Sequence, residues 1–93
     1  MRIVSEKRIQ EFVLRVPRSA DAMKYWIQTV RSSVWQNPAE MRATFQSVSI
    51  IGDLAVFNIG GNKYRLAAFV QFQSRIVFVK KIGTHQEYDQ WEL

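Results

Sequence analysis

One histidine, one tyrosine and two cations in the later part of the chain have the types and spacing needed to cleave a phosphodiester. His85 is the only histidine of the protein. It follows Gly83 and Thr84, and Thr84 stands three residues before Glu87. That is the spacing of a capping box, which predicts a helix beginning at His85. The backbone N–H groups and dipole at a helix start disfavour a protonated imidazole. The ring is therefore biased toward its neutral, proton-accepting form near neutral pH. Tyr88 lies three residues on, on the same helical face. Upstream, Arg65 and Lys80 sit in two strand-like runs. Arg65 offers a planar bidentate fork to phosphate oxygens and Lys80 a point charge.

RNA can be cleaved without metal or activated water when its own 2′-hydroxyl attacks the adjacent phosphate. The protein must then help remove the 2′ proton, stabilise charge on the phosphorane and protonate the leaving 5′ oxygen. His85 could serve as base or, once protonated, as acid; spacing leaves both roles open. Tyr88, with an unperturbed pKa of ~10, is a poor base at neutral pH but a competent proton donor or orienting group. With one histidine, no cysteine and no carboxylate pair beside the basic segment, no metal ligand set is evident and no cofactor is implied. DNA lacks the 2′-hydroxyl, so this mechanism is confined to RNA. Each residue also has a structural use. His85 could hydrogen-bond at a helix start, Tyr88 could pack beside Trp91, and Arg65 could face solvent or pair with an acid such as Asp89.

The elements that must position these residues read as α+β. Met1 to Val4 is a short opening strand. Ile9, Phe12, Val13 and Val16 follow at helical spacing, and Pro17 stops that helix. Ser19 is placed to cap a second helix whose stripe is Met23, Trp26, Ile27, Val30 and Val34, and the two stripes close an antiparallel pair. Asn37-Pro38-Ala39-Glu40 opens a short helix to about Phe45. The period then changes to two. Val48 to Ile51 and Leu54 to Ile59 read as strands, and Gly60-Gly61-Asn62 supplies the positive φ angles of a hairpin turn. On the next strand Tyr64, Leu66, Ala68, Val70 and Phe72 should face the helices, leaving Arg65 on the opposite, more open face. Arg75 to Ile82 is apolar on both faces and so central. The last helix runs from His85 to Leu93. Residues 1–93 thus form a single domain, with helices on one face of an antiparallel sheet.

The 93 residues are 47% hydrophobic and include six Phe, three Trp and three Tyr, enough to fill one core. The lack of cysteine leaves no disulfide framework or zinc-thiolate site and fits a reducing compartment. No apolar run approaches the ~20 residues needed to span a bilayer, and the start of the chain is not a signal peptide. A cytoplasmic protein with no membrane partner is expected. Thirteen basic against eight acidic residues give a net charge of +5, which favours a polyanionic partner. Lys63, Arg65, Arg75, Lys80 and Lys81 fall in a window without an acid, interleaved with Tyr64, Phe69, Phe72 and Phe78. Such a sheet could contact RNA, and the same aromatics could equally serve the core.

Val56-Phe57-Asn58-Ile59-Gly60-Gly61-Asn62, the Arg65 after it, and Gly83-Thr84-His85-Gln86-Glu87-Tyr88-Asp89 resemble the HigB family of toxins from type II toxin–antitoxin systems. The resemblance runs from Asn37-Pro38 onward; the two helices before it agree in order and length without a distinctive motif. It implies a RelE-like fold, with an N-terminal helical hairpin packed on a curved antiparallel sheet and a short C-terminal helix. It also implies an mRNA endonuclease acting on messages in the ribosomal decoding site, and neutralisation by a HigA-like antitoxin with a helix-turn-helix domain. The family's catalytic positions fall on Arg65, Lys80, His85 and Tyr88, with Asn58 and Asn62 as supporting contacts. Lys80 stands where relatives commonly have arginine. Lys63, Arg75 and Lys81 would meet RNA through phosphate neutralisation. A second reading is a non-catalytic RNA- or ribosome-binding module using the same basic sheet. A DNA-binding regulator is disfavoured, since the sequence has no helix-turn-helix pattern.

Overall fold

Pro17 cannot continue a helix, and the chain reverses there. The computed structural model, which describes residues 1–92, places β1 at Arg2–Val4 and α1 at Lys7–Arg15, followed by a single 3-10 turn over Pro17–Ser19. The chain returns as α2 (Ala20–Arg31) and continues through α3 (Pro38–Thr44). Ile9 and Phe12 of α1 and Met23, Trp26 and Val30 of α2 are buried, as their spacing requires. Two local expectations fail. Ser19 does not cap α2; its hydroxyl donates to the Val16 carbonyl at 2.7 Å, tying off the 3-10 turn instead. Val34 lies beyond the end of α2 and is exposed, and the neighbouring Trp35 enters the core in its place. Asn37 behaves as expected, its side-chain oxygen accepting from the Glu40 N–H at 3.0 Å at the start of α3.

Strand periodicity then takes over in β2 (Ser49–Ile51), β3 (Leu54–Ile59), β4 (Tyr64–Gln71) and β5 (Ile76–Thr84), and α4 (His85–Tyr88) follows directly. The order across the sheet is β1-β5-β4-β3-β2. β2 to β5 form an antiparallel meander; the central strand is β4 rather than the expected β5, which lies between β4 and a β1 that runs parallel to it. The sheet is therefore mixed rather than wholly antiparallel. No hairpin joins β1 to its neighbour; the helices and the meander intervene, so nothing forces an antiparallel pairing.

Gly60, Gly61 and Asn62 all have positive φ, between 62° and 78°, and close the tight β3–β4 hairpin. Tyr64, Leu66 and Ala68 face the helices and are buried. Phe57, fully buried at the centre of this face, meets the rings of Trp26 and Phe45 edge-on, each at 5.3 Å between centroids. The last helix is a single turn ending at Tyr88, shorter than its sequence pattern suggests, and Leu93 lies outside the described residues. Tight turns follow, with the Trp91 N–H donating to the Tyr88 carbonyl at 3.0 Å, and they bring Trp91 back over the sheet. Among the described residues no helix is long and apolar enough to cross a membrane.

Because Phe57 is the aromatic hub of the core, Phe57→Ala should lower the unfolding free energy by ~3–5 kcal/mol, measured by denaturant titration. Phe69→Ala, on the opposite face and 37% exposed, should cost far less. Equal losses would place the stability of the domain elsewhere.

Candidate functional site

Arg65 is the second residue of β4 and points away from the helical layer. The sequence suggested an open face there. Instead Arg65 is only 8% exposed, because α4 and the turn after it fold over this side of the sheet. The guanidinium carbon lies 5.3 Å from the centre of the Tyr88 ring, and Tyr88 meets Trp91 edge-on at 5.4 Å. From below, the β3–β4 turn closes on the same group. Arg65 donates through Nη1 to the Asn62 carbonyl at 3.2 Å and the Tyr64 carbonyl at 3.3 Å, and through Nη2 to Asn62 Oδ1 at 2.6 Å. These bonds use three of the five N–H groups of a guanidinium. Among the described residues no carboxylate pairs with Arg65. The site keeps its positive charge and two uncommitted donors.

His85 opens α4. Both bonds of the capping box are present: Thr84 Oγ1 accepts from the Glu87 N–H at 3.2 Å, and Glu87 Oε1 accepts from the Thr84 N–H at 2.9 Å. The His85 N–H donates to the Lys63 carbonyl at 2.9 Å, stitching α4 to the turn that holds Arg65. The imidazole is half exposed, its Nδ1 lying 3.6 Å from Asp89 Oδ2, too long for a hydrogen bond. It borders a shallow cleft of about 290 Å³ shared with Arg18, Lys63, Tyr64 and Gln86. Arg18 was not singled out in the sequence. It arrives from the 3-10 turn through the packing of the helical hairpin, and no local pattern marks it.

The remaining candidates divide. Asn58 pairs directly with Arg65 across β3 and β4, so the two share a face. Asn62 spends its side-chain oxygen on Arg65. Lys80 falls at a β-bulge opposite the Ala67/Ala68 step, with its ammonium 5.8 Å from the Phe78 ring. Gly83 pairs with Arg65, so Lys80 lies about 10 Å down the strand from it, three residues at ~3.3 Å each. The Lys81 ammonium sits 5.6 Å from the Trp91 ring. Arg75 occupies the opposite end of β4 and β5, in their connecting turn at φ 60°. The basic window of the sequence is therefore not one patch, and Arg75 stands apart from the cleft.

Two further features hold α4 in place. Arg15 forks the Glu87 carboxylate at 3.0 and 3.1 Å. This contact, followed by the Thr84 N–H, holds the Glu87 carboxyl below its ordinary value of 4.5. A depressed carboxyl contributes stability above its ordinary pKa and loses it as pH falls through the lowered one, so the contact weakens only below that ordinary value. Gly83 lies beneath the same segment, where a Cβ would meet Trp91 Cζ2 at 2.9 Å and Glu87 Cβ at 3.1 Å. Among the described residues no three His, Cys, Asp or Glu side chains group to hold a metal ion.

A helical hairpin on a five-stranded sheet, with cations and one histidine gathered where β4, β5 and α4 meet, is the architecture of a small RelE-like toxin. Residues 19–91 match the family model of the HigB toxin, described as the RelE-like toxic component of a toxin-antitoxin system. The chain belongs to this family. The match begins at Ser19 and so takes in α2, where the sequence carried only a core stripe. The chain is 27% identical over 92 residues to the mRNA interferase toxin HigB of Escherichia coli strain K12, covering 96% of this chain and 88% of that protein. It is 29% identical over 92 residues to the mRNA interferase HigB of Escherichia coli O6:H1 strain CFT073, covering 96% and 89% respectively.

Gly83→Ala should lift Trp91 and Glu87 from the sheet and uncover Arg65. Its activity should fall while its unfolding midpoint changes little. Tryptophan emission should shift to the red. Unchanged emission and activity would mean that close packing at Gly83 is not what seats α4.

Proposed function

We propose that this protein is the toxin of a type II toxin–antitoxin module and inhibits translation as an mRNA interferase, cutting mRNA held in the ribosomal decoding site. The observation that carries the reading is the guanidinium of Arg65, buried with no carboxylate partner among the described residues, beneath a Tyr88 that shares its single helical turn with His85. Membership of the toxin family and the mRNA interferase names of its relatives support it. In this reading the 2′-hydroxyl attacks the neighbouring phosphate and no metal takes part. The two free N–H groups of Arg65 meet the phosphorane oxygens, where positioned donors act on charge that grows in the transition state. His85 moves the proton as base or acid, and Tyr88 orients Arg65 or donates a proton to the leaving oxygen.

Lys80, lower on the sheet, adds a cation toward the transition state or the next phosphate. Asn58, Lys63 and Lys81 line the approach. Asn62 serves RNA by holding Arg65, and Arg75 can meet only RNA outside the cleft. The partner that neutralises the toxin is a helix-turn-helix antitoxin. The residue assignments rest on charge and placement, and the antitoxin on membership of the toxin family.

Induced expression of the chain alone should arrest bacterial growth. His85→Ala, lowering cleavage by ~10²–10⁴, should relieve the arrest while the protein stays folded. Arrest that survives His85→Ala would point to a non-catalytic ribosome-binding module instead.

The RNA ends report the chemistry. Cleavage by the 2′-hydroxyl leaves a 2′,3′-cyclic phosphate and a 5′-hydroxyl, which enzymatic end-labelling distinguishes from a 5′-phosphate. Finding 5′-phosphate ends would mean activated water and would overturn this mechanism.

A further inference from the structure

We infer that Arg15, the last residue of α1, is a positioning residue that acts through Glu87 to set how α4 carries His85 and Tyr88 against the sheet. The activity arm of this inference rests on the nuclease reading above; the contact itself does not. α4 has four residues and buries none of them. A single turn has no stability of its own, since helix nucleation is costly and few bonds repay it. Its orientation must come from what it touches. The capping box and the His85 N–H bond to Lys63 pin its beginning to β5 and the hairpin turn. Tyr88 rests on Arg65 at its other end. The bidentate fork from Arg15, 72 residues away in sequence, ties this turn to the helical layer.

Arg15 is itself held. Its guanidinium carbon lies 5.1 Å from the Phe12 ring centre, and Phe12 meets Tyr64 edge-on at 5.8 Å. Phe12 and Tyr64 are both buried, and Tyr64 precedes Arg65 on β4. A line of contacts therefore runs from the core beneath the site, through Phe12 and Arg15, to Glu87. The side chains of Arg15 and Glu87 are 54% and 41% exposed. Exposed ion pairs add little to global stability, but two parallel N–H···O bonds fix direction as well as distance. The fork matters for where α4 lies more than for whether the domain folds. Displacing a catalytic group by ~1 Å can cost ~10²-fold in rate, so a weak tether can govern activity.

The experiment compares Arg15→Ala, Arg15→Lys, Glu87→Gln and the double variant Arg15→Ala/Glu87→Gln in the full chain. Gln at 87 keeps an oxygen for the Thr84 N–H but loses the charge that Arg15 holds. Arg15→Ala should lower kcat ~10- to 100-fold, with KM and the unfolding midpoint nearly unchanged. Arg15→Lys should recover part of the loss, because an ammonium can pair but cannot fork. The double variant should be no worse than the poorer single one, as expected for residues acting through one contact. The sole histidine supplies a readout independent of cleavage. The His85 Hε1 resonance should shift or broaden in Arg15→Ala and stay in place in Arg8→Ala, a neighbouring change on the same helix. An unmoved His85 resonance, additive effects in the double variant, a rise in KM alone, or a loss of rate matched by a loss of fold would each overturn the inference. If the wild type cleaves no RNA, the nuclease reading fails, and the His85 resonance still decides whether Arg15 seats α4.

Discussion

A buried guanidinium that has no counter-ion among the described residues constrains everything on the second face of the sheet. Burying a charge is costly unless polar groups take over the work of water. For Arg65 that work falls to three neutral oxygens and the face of a tyrosine ring. Two of the oxygens belong to Asn62, which must sit at φ 78° to present its carbonyl and its side chain to the same group. Asparagine tolerates that left-handed backbone better than most side chains. The tight turn and the buried cation are thus one structural unit. Tyr88 completes it from above, so the turn and α4 converge on the charge they jointly satisfy.

The two faces of the sheet divide the aromatic core from the candidate site. On the helical side Phe57, Trp26, Trp35 and Phe45 form a continuous aromatic cluster that would resist local opening. Among the described residues, the end of the other side at Arg65 is covered by one helical turn and Trp91. An element with few buried apolar contacts lies at the low end of local stability. Such an element can adjust to a substrate without disturbing the core. Its seat depends on a few polar contacts, which in the proposed reaction would matter as much as the groups they place.

What was legible in the sequence was local. Pro17, the cap at Asn37, the Gly60-Gly61-Asn62 turn and the Thr84–Glu87 box each depend on residues within four positions of one another, and each appears as read. The alternation along β4 correctly sent Tyr64 and Arg65 to opposite faces. What covers the second face was not legible, because the cover comes from residues more than twenty positions later. The parallel pairing of β1, the arrival of Arg18 at the cleft and the fork between Arg15 and Glu87 are products of tertiary packing, and no short-range pattern encodes them. The separation of Arg75 from the other cations has the same origin. Proximity along a hairpin is lost at its two ends, so a basic run in sequence need not be a basic patch in space.

The pairing of charges follows from this geometry. Of the acids nearest the cleft, Glu87 is held by Arg15 and Asp89 lies beside His85. Among the described residues Arg18, Lys63, Arg65, Lys80 and Lys81 form no ion pair. A polyanion approaching this face meets cations that no acid neutralises among the described residues, while Glu87 is already engaged by Arg15. The exposed lysines act at long range and are screened by salt. Arg65, within the fold, is screened far less and acts only on what reaches it. In the proposed reaction, attraction of the strand and stabilisation of charge at one phosphate would fall to different depths of the same surface, so salt should weaken the first more than the second.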